Sequence, residues 1–334
     1  MNTSAVHIDL GINTAFMTRR YEEPASWMRI VKELGFDYLS FDSDALDPFF
    51  SGDREYVLEK ARQIGALARR EGLVITDYLT GYCSYRFMGL SHRDEQQRQR
   101  MTDWMRSAID TAAAMGAGSI GGRFDALSVE VRENPAEADA RMRETERLFL
   151  EIASYARQAG MTSIANEVMY VPSLYPHTFG ETRRFFENTN PGRGDCVPVR
   201  PILDTGHMCG QNYGLTGDEL RYESWLERWG AACEIIHIQQ TRRESSDHAP
   251  FLENGSGDVH LEDILESLHK SILGAARQPW YPYLSVPDRI ILVLEALPGT
   301  STNEQKLLDD LGECGRYLRR FIPKGGLDIG RAPV

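Results

Sequence analysis

A chain of 334 residues, 42% hydrophobic and 26% charged, is long enough for one large α/β barrel or two ordinary domains, and it carries too much apolar material to be disordered. Its 49 acidic against 37 basic residues give a formal charge of −12, which disfavours nonspecific attraction to nucleic acid or an anionic membrane and favours a small-molecule partner. The opening MNTSAVHIDLGINTAFMTRR lacks the basic start and unbroken apolar stretch of a signal peptide, and no run reaches the length of a membrane span, so a cytoplasmic location is expected. Cys83, Cys196, Cys209, Cys233 and Cys314 are odd in number, scattered and without a CxxC pair, the pattern of reduced structural thiols.

Short β-branched runs alternate with longer amphipathic segments along the whole chain, as in a parallel sheet wound with helices. VHIDLGIN is the first strand, and a helix follows from Pro24, suited to a first turn, to about Gly35, suited to a stop. DYLSFDSD, a helix over 53–72, and LVITDYLTG come next, then a long helix from about Asp94 to Gly116. AGSIGGRF reads as the fourth strand, with its glycines weakening the pattern. PAEADARMRETERLFLEIASYARQAG is a helix opened by Pro135 and closed by Gly160, and TSIANEVM is the fifth strand. TFGETRRFFENT precedes VRPILDTGH, YESWLERWGAAC precedes EIIHIQQT, and HLEDILESLHKSIL precedes RIILVLEAL; TNEQKLLDDLGECGRYLRRFI is the last helix. Eight strand–helix pairs without a Ser- or Gly-rich linker predict a single (β/α)8 TIM barrel over residues 1–322, followed by a tail over 323–334 that is either poorly ordered or packed on a partner subunit of a homo-oligomer. Residues 169–177 and 242–258 exceed ordinary loop lengths and follow strands, as a lid or substrate-binding loop on the catalytic face would.

Four of the apolar runs end in a group that an apolar strand does not need: Glu167, Asp204, His237 and Glu295, on the fifth to eighth strands. Three carboxylates and an imidazole form the hard-to-borderline set that a catalytic divalent cation prefers, and barrel geometry lets residues on consecutive strand ends converge. Each has a plain alternative. Asp204 or Glu167 could cap the next helix, and His237 could be a satisfied core histidine, although its flanking isoleucines imply that it points away from them. Glu295 within LVLEAL is hardest to dismiss, because an uncompensated carboxylate in an apolar run costs several kcal/mol.

The order Glu167 in ANEVMY, Asp204 and His207 in LDTGH, His237 and Arg243 in HIQQTRR, and Glu295 in VLEAL resembles the xylose-isomerase-like TIM-barrel superfamily of sugar isomerases and ketose 3-epimerases. GSGDVHLEDIL is similar to that family's Gly-x-Gly approach to the helix after strand seven. The resemblance spans essentially the whole chain. It implies one divalent ion, Mn²⁺, Mg²⁺ or Co²⁺ ahead of Zn²⁺, held by Glu167, Asp204, His237 and Glu295, with Glu167 and Glu295 also exchanging protons with the substrate. It implies that His207 and Arg243 contact substrate oxygens. Helix capping by His207 and plain surface exposure of Arg243 are the alternatives.

A proton α to a ketone is too weakly acidic to leave at neutral pH unless charge on the enediolate oxygen is stabilised, and a cation can do this as a Lewis acid. A carboxylate then suffices as base; two carboxylates on opposite faces would invert the carbon, and transfer between adjacent carbons would make the same site an isomerase. Arg123, Arg242 and Arg243 near the predicted mouth suggest an anionic group on the substrate, hence a sugar phosphate or sugar acid such as a tetrulose phosphate, although a nearby carboxylate such as Asp125 or Glu244 would equally explain an arginine. Phe16, Tyr78, Tyr82, Tyr85, Phe124 and Tyr170 could stack on a sugar, but core packing explains such aromatics more economically, and His177 and His248 are likewise read as ordinary rim-loop residues. The rival chemistries are a metal-dependent dehydratase or decarboxylase of a keto-sugar or keto-acid and, more remotely, DNA repair like that of the superfamily's endonuclease branch. The latter needs further histidines after strands two to four, where this chain has Asp44, Tyr78 and Arg123; Asp258-Val259-His260 matches its Asp-x-His string but falls at a helix start.

Overall fold

The computed structural model describes residues 5–81, 89–192 and 194–330. Parallel strands β1 (Ala5–Asn13), β2 (Tyr38–Asp42), β3 (Val74–Leu79), β4 (Ser119–Gly122), β5 (Ser163–Glu167), β6 (Val199–Asp204), β7 (Ile235–Ile238) and β8 (Arg289–Leu294) succeed one another in sheet order. Because β1 pairs with both β8 and β2, the sheet closes into a single (β/α)8 TIM barrel. The helices are α1 (Pro24–Glu33), α2 (Arg54–Arg70), α3 (Glu95–Met115), the one-turn α4 (Val129–Arg132), α5 (Pro135–Gln158), α6 (Phe179–Thr189), α7 (Tyr222–Trp229), α8 (Leu261–Gly274) and α9 (Glu304–Leu318).

Their ends follow the punctuation in the sequence. Asp94 caps α3 by accepting from the Gln96 N–H, and Gly116 closes it at φ +86°, where a side chain would be strained. Asn134 caps α5 through the Glu137 N–H, with Pro135 in the first turn.

Close packing groups the chain into two units. In the described part of Met1–Ser40, Leu67–Val74 and Ile202–Val334, Val6, Ile8, Leu10 and Ile12 alternate along β1 and are all buried, each contributing about 1.5–3 kcal/mol relative to exposure. Here Asp204 of β6 pairs directly with His237 of β7, and His237 with Val293 of β8. In the described part of Phe41–Ala66 and Ile75–Pro201, β3, β4 and β5 pair in parallel, and Phe124, Phe149, Phe185 and Phe186 form a chain of edge-to-face contacts. The glycines that weaken the β4 pattern have a steric cause: Gly122 takes φ +107°, and a Cβ there would collide with the Thr80 hydroxyl. That hydroxyl instead accepts the N–H of Arg123, at 2.9 Å.

The tail departs from expectation. Leu327–Gly330 forms an antiparallel strand, β9, on β1, with Ala5 opposite Gly330 and Ile8 opposite Leu327; residues 331–334 lie outside the described part. The edge of β1 that β2 leaves uncovered over Ala5–Ile8 offers ladder hydrogen bonds that Leu-Asp-Ile-Gly can complete. The one-turn α4 is a further element that periodicity does not reveal, being too short to show a helical stripe.

Candidate metal centre

Glu167 is the last residue of β5, Asp204 the last of β6, and His237 the third of β7's four. Glu295 stands one residue past β8, not within it, and its N–H still donates to the Ile238 carbonyl at 3.0 Å, so strand pairing continues through it. All four are buried, and one ligand atom from each lies within 4.8 Å of the others. Among the described residues, this is the group of three or more His, Cys, Asp or Glu side chains able to hold a metal ion. Asp258 and His260 stand apart from it: Asp258 accepts the Arg243 N–H at 2.8 Å, and His260 precedes α8 as its N-cap residue.

Carboxylates drawn this close repel one another in a low-dielectric interior unless a cation compensates them. Three carboxylate oxygens and an imidazole nitrogen also match the donor chemistry of Mn²⁺, Mg²⁺ or Co²⁺. The residues therefore fit a divalent ion.

Neighbouring side chains orient these groups. His237 Nδ1 lies 3.6 Å from Glu295 Oε2. Asp204 accepts the Gly206 N–H at 2.6 Å and the Gln239 amide at 3.0 Å on both oxygens, and His207 is buried with Nε2 3.6 Å from Asp204 Oδ2. Arg123, almost wholly buried, lays a guanidinium nitrogen 3.0 Å from Glu167 Oε2.

The other two arginines point elsewhere. Arg243 is half-exposed and 3.8 Å from Glu223, while Arg242 is exposed and 3.6 Å from Asp247. Each of the three thus has an internal carboxylate partner, though the partners are Glu167, Glu223 and Asp247 and not Asp125 or Glu244. Asp125 is instead fully buried and accepts the N–H groups of Ser91 and Ala126; burial pushes its carboxyl up to about 6.

Of the aromatics, Phe16, Tyr78 and Phe124 are core residues: Tyr78 stacks on Phe41 and donates to the Leu46 carbonyl. Burial and the acidic groups of Asp47, Asp42 and Asp44 hold its phenol well above the usual range. Tyr82, Cys83 and Tyr85 lie outside the described residues. His177 pairs with Glu181 at 2.7 Å, an ordinary helix-start contact.

His248 is different, and a reading of the sequence passes over it. The segment after β7 folds back so that Gln240 and Ala249 form an antiparallel bridge, which brings His248 Nδ1 to 3.4 Å from Glu295 Oε2 and 3.1 Å from Gln239 Nε2. Farther along, the Phe251 N–H donates to Cys314 Sγ, its ring stacks parallel to Tyr317, and Glu253 pairs with Arg320. The segment expected as a lid or substrate-binding loop is thus tied to its surroundings at these points. Gln239 had one sequence signal: it lies two residues beyond His237 and so shares its face if the strand continues.

The sequence model describing the xylose isomerase-like TIM barrel matches residues 28–273, most of the chain. The chain belongs to that family. The xylose isomerase-like barrel is 22% identical over 325 residues to D-erythrulose 1-phosphate 3-epimerase of Brucella abortus (strain 2308), covering 96% of this chain and 99% of the relative. Among solved structures, it superposes with TM-score 0.79 on a protein from Rhodospirillum rubrum ATCC 11170 provisionally assigned as a xylose isomerase, at 22% identity over 94% of this chain and 99% of that one. It also superposes with TM-score 0.64 on D-psicose 3-epimerase with D-tagatose from Clostridium cellulolyticum H10, at 16% identity over 94% and 98% of the two chains. Among the described residues, no helix is long and apolar enough to cross a membrane.

Proposed function

We propose that this xylose isomerase-like barrel is a divalent-metal-dependent epimerase of a ketose phosphate, with tetrulose phosphates as the first substrates to test. The observation that carries the reading is the convergence of Glu167, Asp204, His237 and Glu295. The similarity to D-erythrulose 1-phosphate 3-epimerase across nearly both whole chains supports the choice of substrate. Mn²⁺, Mg²⁺ and Co²⁺ are the candidate ions, and the cytoplasm the proposed location.

When bound, the ion supplies Lewis-acid stabilisation of negative charge developing on the substrate's oxygens. One of Glu167 and Glu295 removes the proton from the carbon α to the ketone, and the C–H electron pair moves into the enediolate. The other, carrying a proton, delivers it to the opposite face, inverting the carbon; exchange with solvent restores the starting protonation. Arg123, by its ion pair with Glu167, restrains the direction in which that carboxylate presents its proton-accepting oxygen. His207, buried beside Asp204, is assigned to a substrate oxygen. Arg243 is assigned to the substrate's outer end, for which its guanidinium would exchange Glu223 for an anionic group.

Incubation of the metal-loaded protein with D-erythrulose 1-phosphate and related ketose phosphates in D₂O tests this. The expected result is deuterium at the epimerised carbon with an otherwise unchanged skeleton. Loss of water or CO₂ would point to a dehydratase or decarboxylase, and no exchange with any ketose or ketose phosphate would remove the reading.

A further inference from the structure

Gln239 is wholly buried, and its amide can be assigned one orientation. The His248 backbone N–H lies 2.7 Å from Oε1, and because an N–H can be received only by the oxygen end of an amide, the NH₂ end must face the other way. There, Nε2 lies 3.0 Å from both oxygens of Asp204. The main chain of Gln239 is fixed as well, since its N–H donates to the Thr205 hydroxyl at 3.1 Å.

The donor that fixes the amide comes from an uncommon backbone. His248 takes φ +48°, in the left-handed region that only a few per cent of non-glycine residues occupy, His, Asn and Asp more often than the rest. It is held there from both sides: its carbonyl accepts the Leu297 N–H at 3.0 Å, just past β8, and Ala249 is locked in the bridge with Gln240. Such a conformation persists where the surroundings over-determine it, which is a feature of functional sites. The same residue places Nδ1 3.4 Å from Glu295 Oε2. One glutamine–histidine pair therefore touches two of the four candidate ligands.

We propose that Gln239, held in a single amide orientation by His248, is a positioning residue that aims the Asp204 carboxylate at the divalent ion. The inference rests on the metal reading above. A carboxylate that accepts two N–H contacts from a rigid amide, and a third from Gly206, has lost its rotational freedom before the ion arrives, so less ordering remains to be done on binding. The segment after β7 thereby acts on the metal centre as a strut, through Gln239 and His248, without supplying a ligand of its own.

The test is calorimetric titration of metal-free wild-type protein and of Gln239→Met with Mn²⁺ alone, alongside the melting temperature of each metal-free protein. Methionine keeps the length of the side chain and removes its donor. The expected result is a weakening of Mn²⁺ binding on the order of 10- to 100-fold, the usual consequence of removing a partner of a metal ligand, without loss of cooperative melting. Gln239→Leu serves if the methionine variant does not fold. A folded variant that binds Mn²⁺ within about threefold of wild type would overturn the positioning role while leaving the metal centre intact. Failure of wild type itself to bind Mn²⁺, Mg²⁺ or Co²⁺ would overturn the metal reading and this inference with it.

Discussion

Replacing Gly206 with alanine tests how tightly the surroundings of the candidate metal centre are built. The backbone of Gly206 is one that alanine can adopt, so any effect must come from space; a Cβ there would lie 2.5 Å from Gln239 Oε1 and nearer still to Cδ and Nε2. Real Cβ atoms essentially never approach within 3.0 Å, and Gln239 has no empty side to retreat into, being buried and hydrogen-bonded at both ends of its amide. Overpacking of this kind costs about 1–3 kcal/mol, and displacing the amide also disturbs its contacts with Asp204. Gly206→Ala is therefore expected to lower the melting temperature of metal-free protein by ~1–4 °C and to weaken Mn²⁺ binding. The same substitution in a Gln239→Ala background should cost little, because the clashing partner is gone, so the two changes should be strongly non-additive. Differential scanning calorimetry and Mn²⁺ titration of the four proteins measure both effects. Additive losses, or a Gly206→Ala protein indistinguishable from wild type, would refute the packing argument.

Three further outcomes are expected. Glu167→Gln and Glu295→Gln should each reduce turnover by at least ~10²–10⁴-fold, the contribution of a positioned acid or base, and near wild-type rates in either would sink the two-carboxylate scheme. Activity should disappear on chelation and return with Mn²⁺, Mg²⁺ or Co²⁺; full activity in demonstrably metal-free protein would rule out the metal's role. Asp125 should make the protein less stable as pH rises. Its carboxyl is pushed up to about 6 in the fold against 3.8 unfolded, so the native state binds the extra proton, and stability falls through this window by on the order of 3 kcal/mol. Urea unfolding of Asp125→Asn, which keeps an oxygen for the Ser91 and Ala126 N–H groups, should lack that component; an unchanged pH dependence would contradict it.

The alternation of short apolar runs with capped amphipathic helices is a short-range property, and it sufficed for the barrel: Asp94, Pro135 and Gly116 mark helix ends through contacts within a few residues of themselves. It also sufficed to single out Glu167, Asp204, His237 and Glu295, because a charged or imidazole group at the end of an apolar run is expensive unless something compensates it. Other features depend on contacts between residues distant in sequence or on the path of a loop. The register that sets Asp204 beside His237 is fixed by strand pairing, and the attachment of β9 to β1 joins residues at opposite ends of the chain. Arg243 turns to Glu223 and Arg123 to Glu167 because folding brings those carboxylates within reach, which spacing along the chain does not encode. His248 is the sharpest case. Nothing in SSDHAP announces a left-handed histidine, and only the fold-back of Ala249 onto Gln240 carries it to Glu295 and Gln239. Local periodicity determined which groups could form the centre; tertiary packing decided which side chains hold them in place.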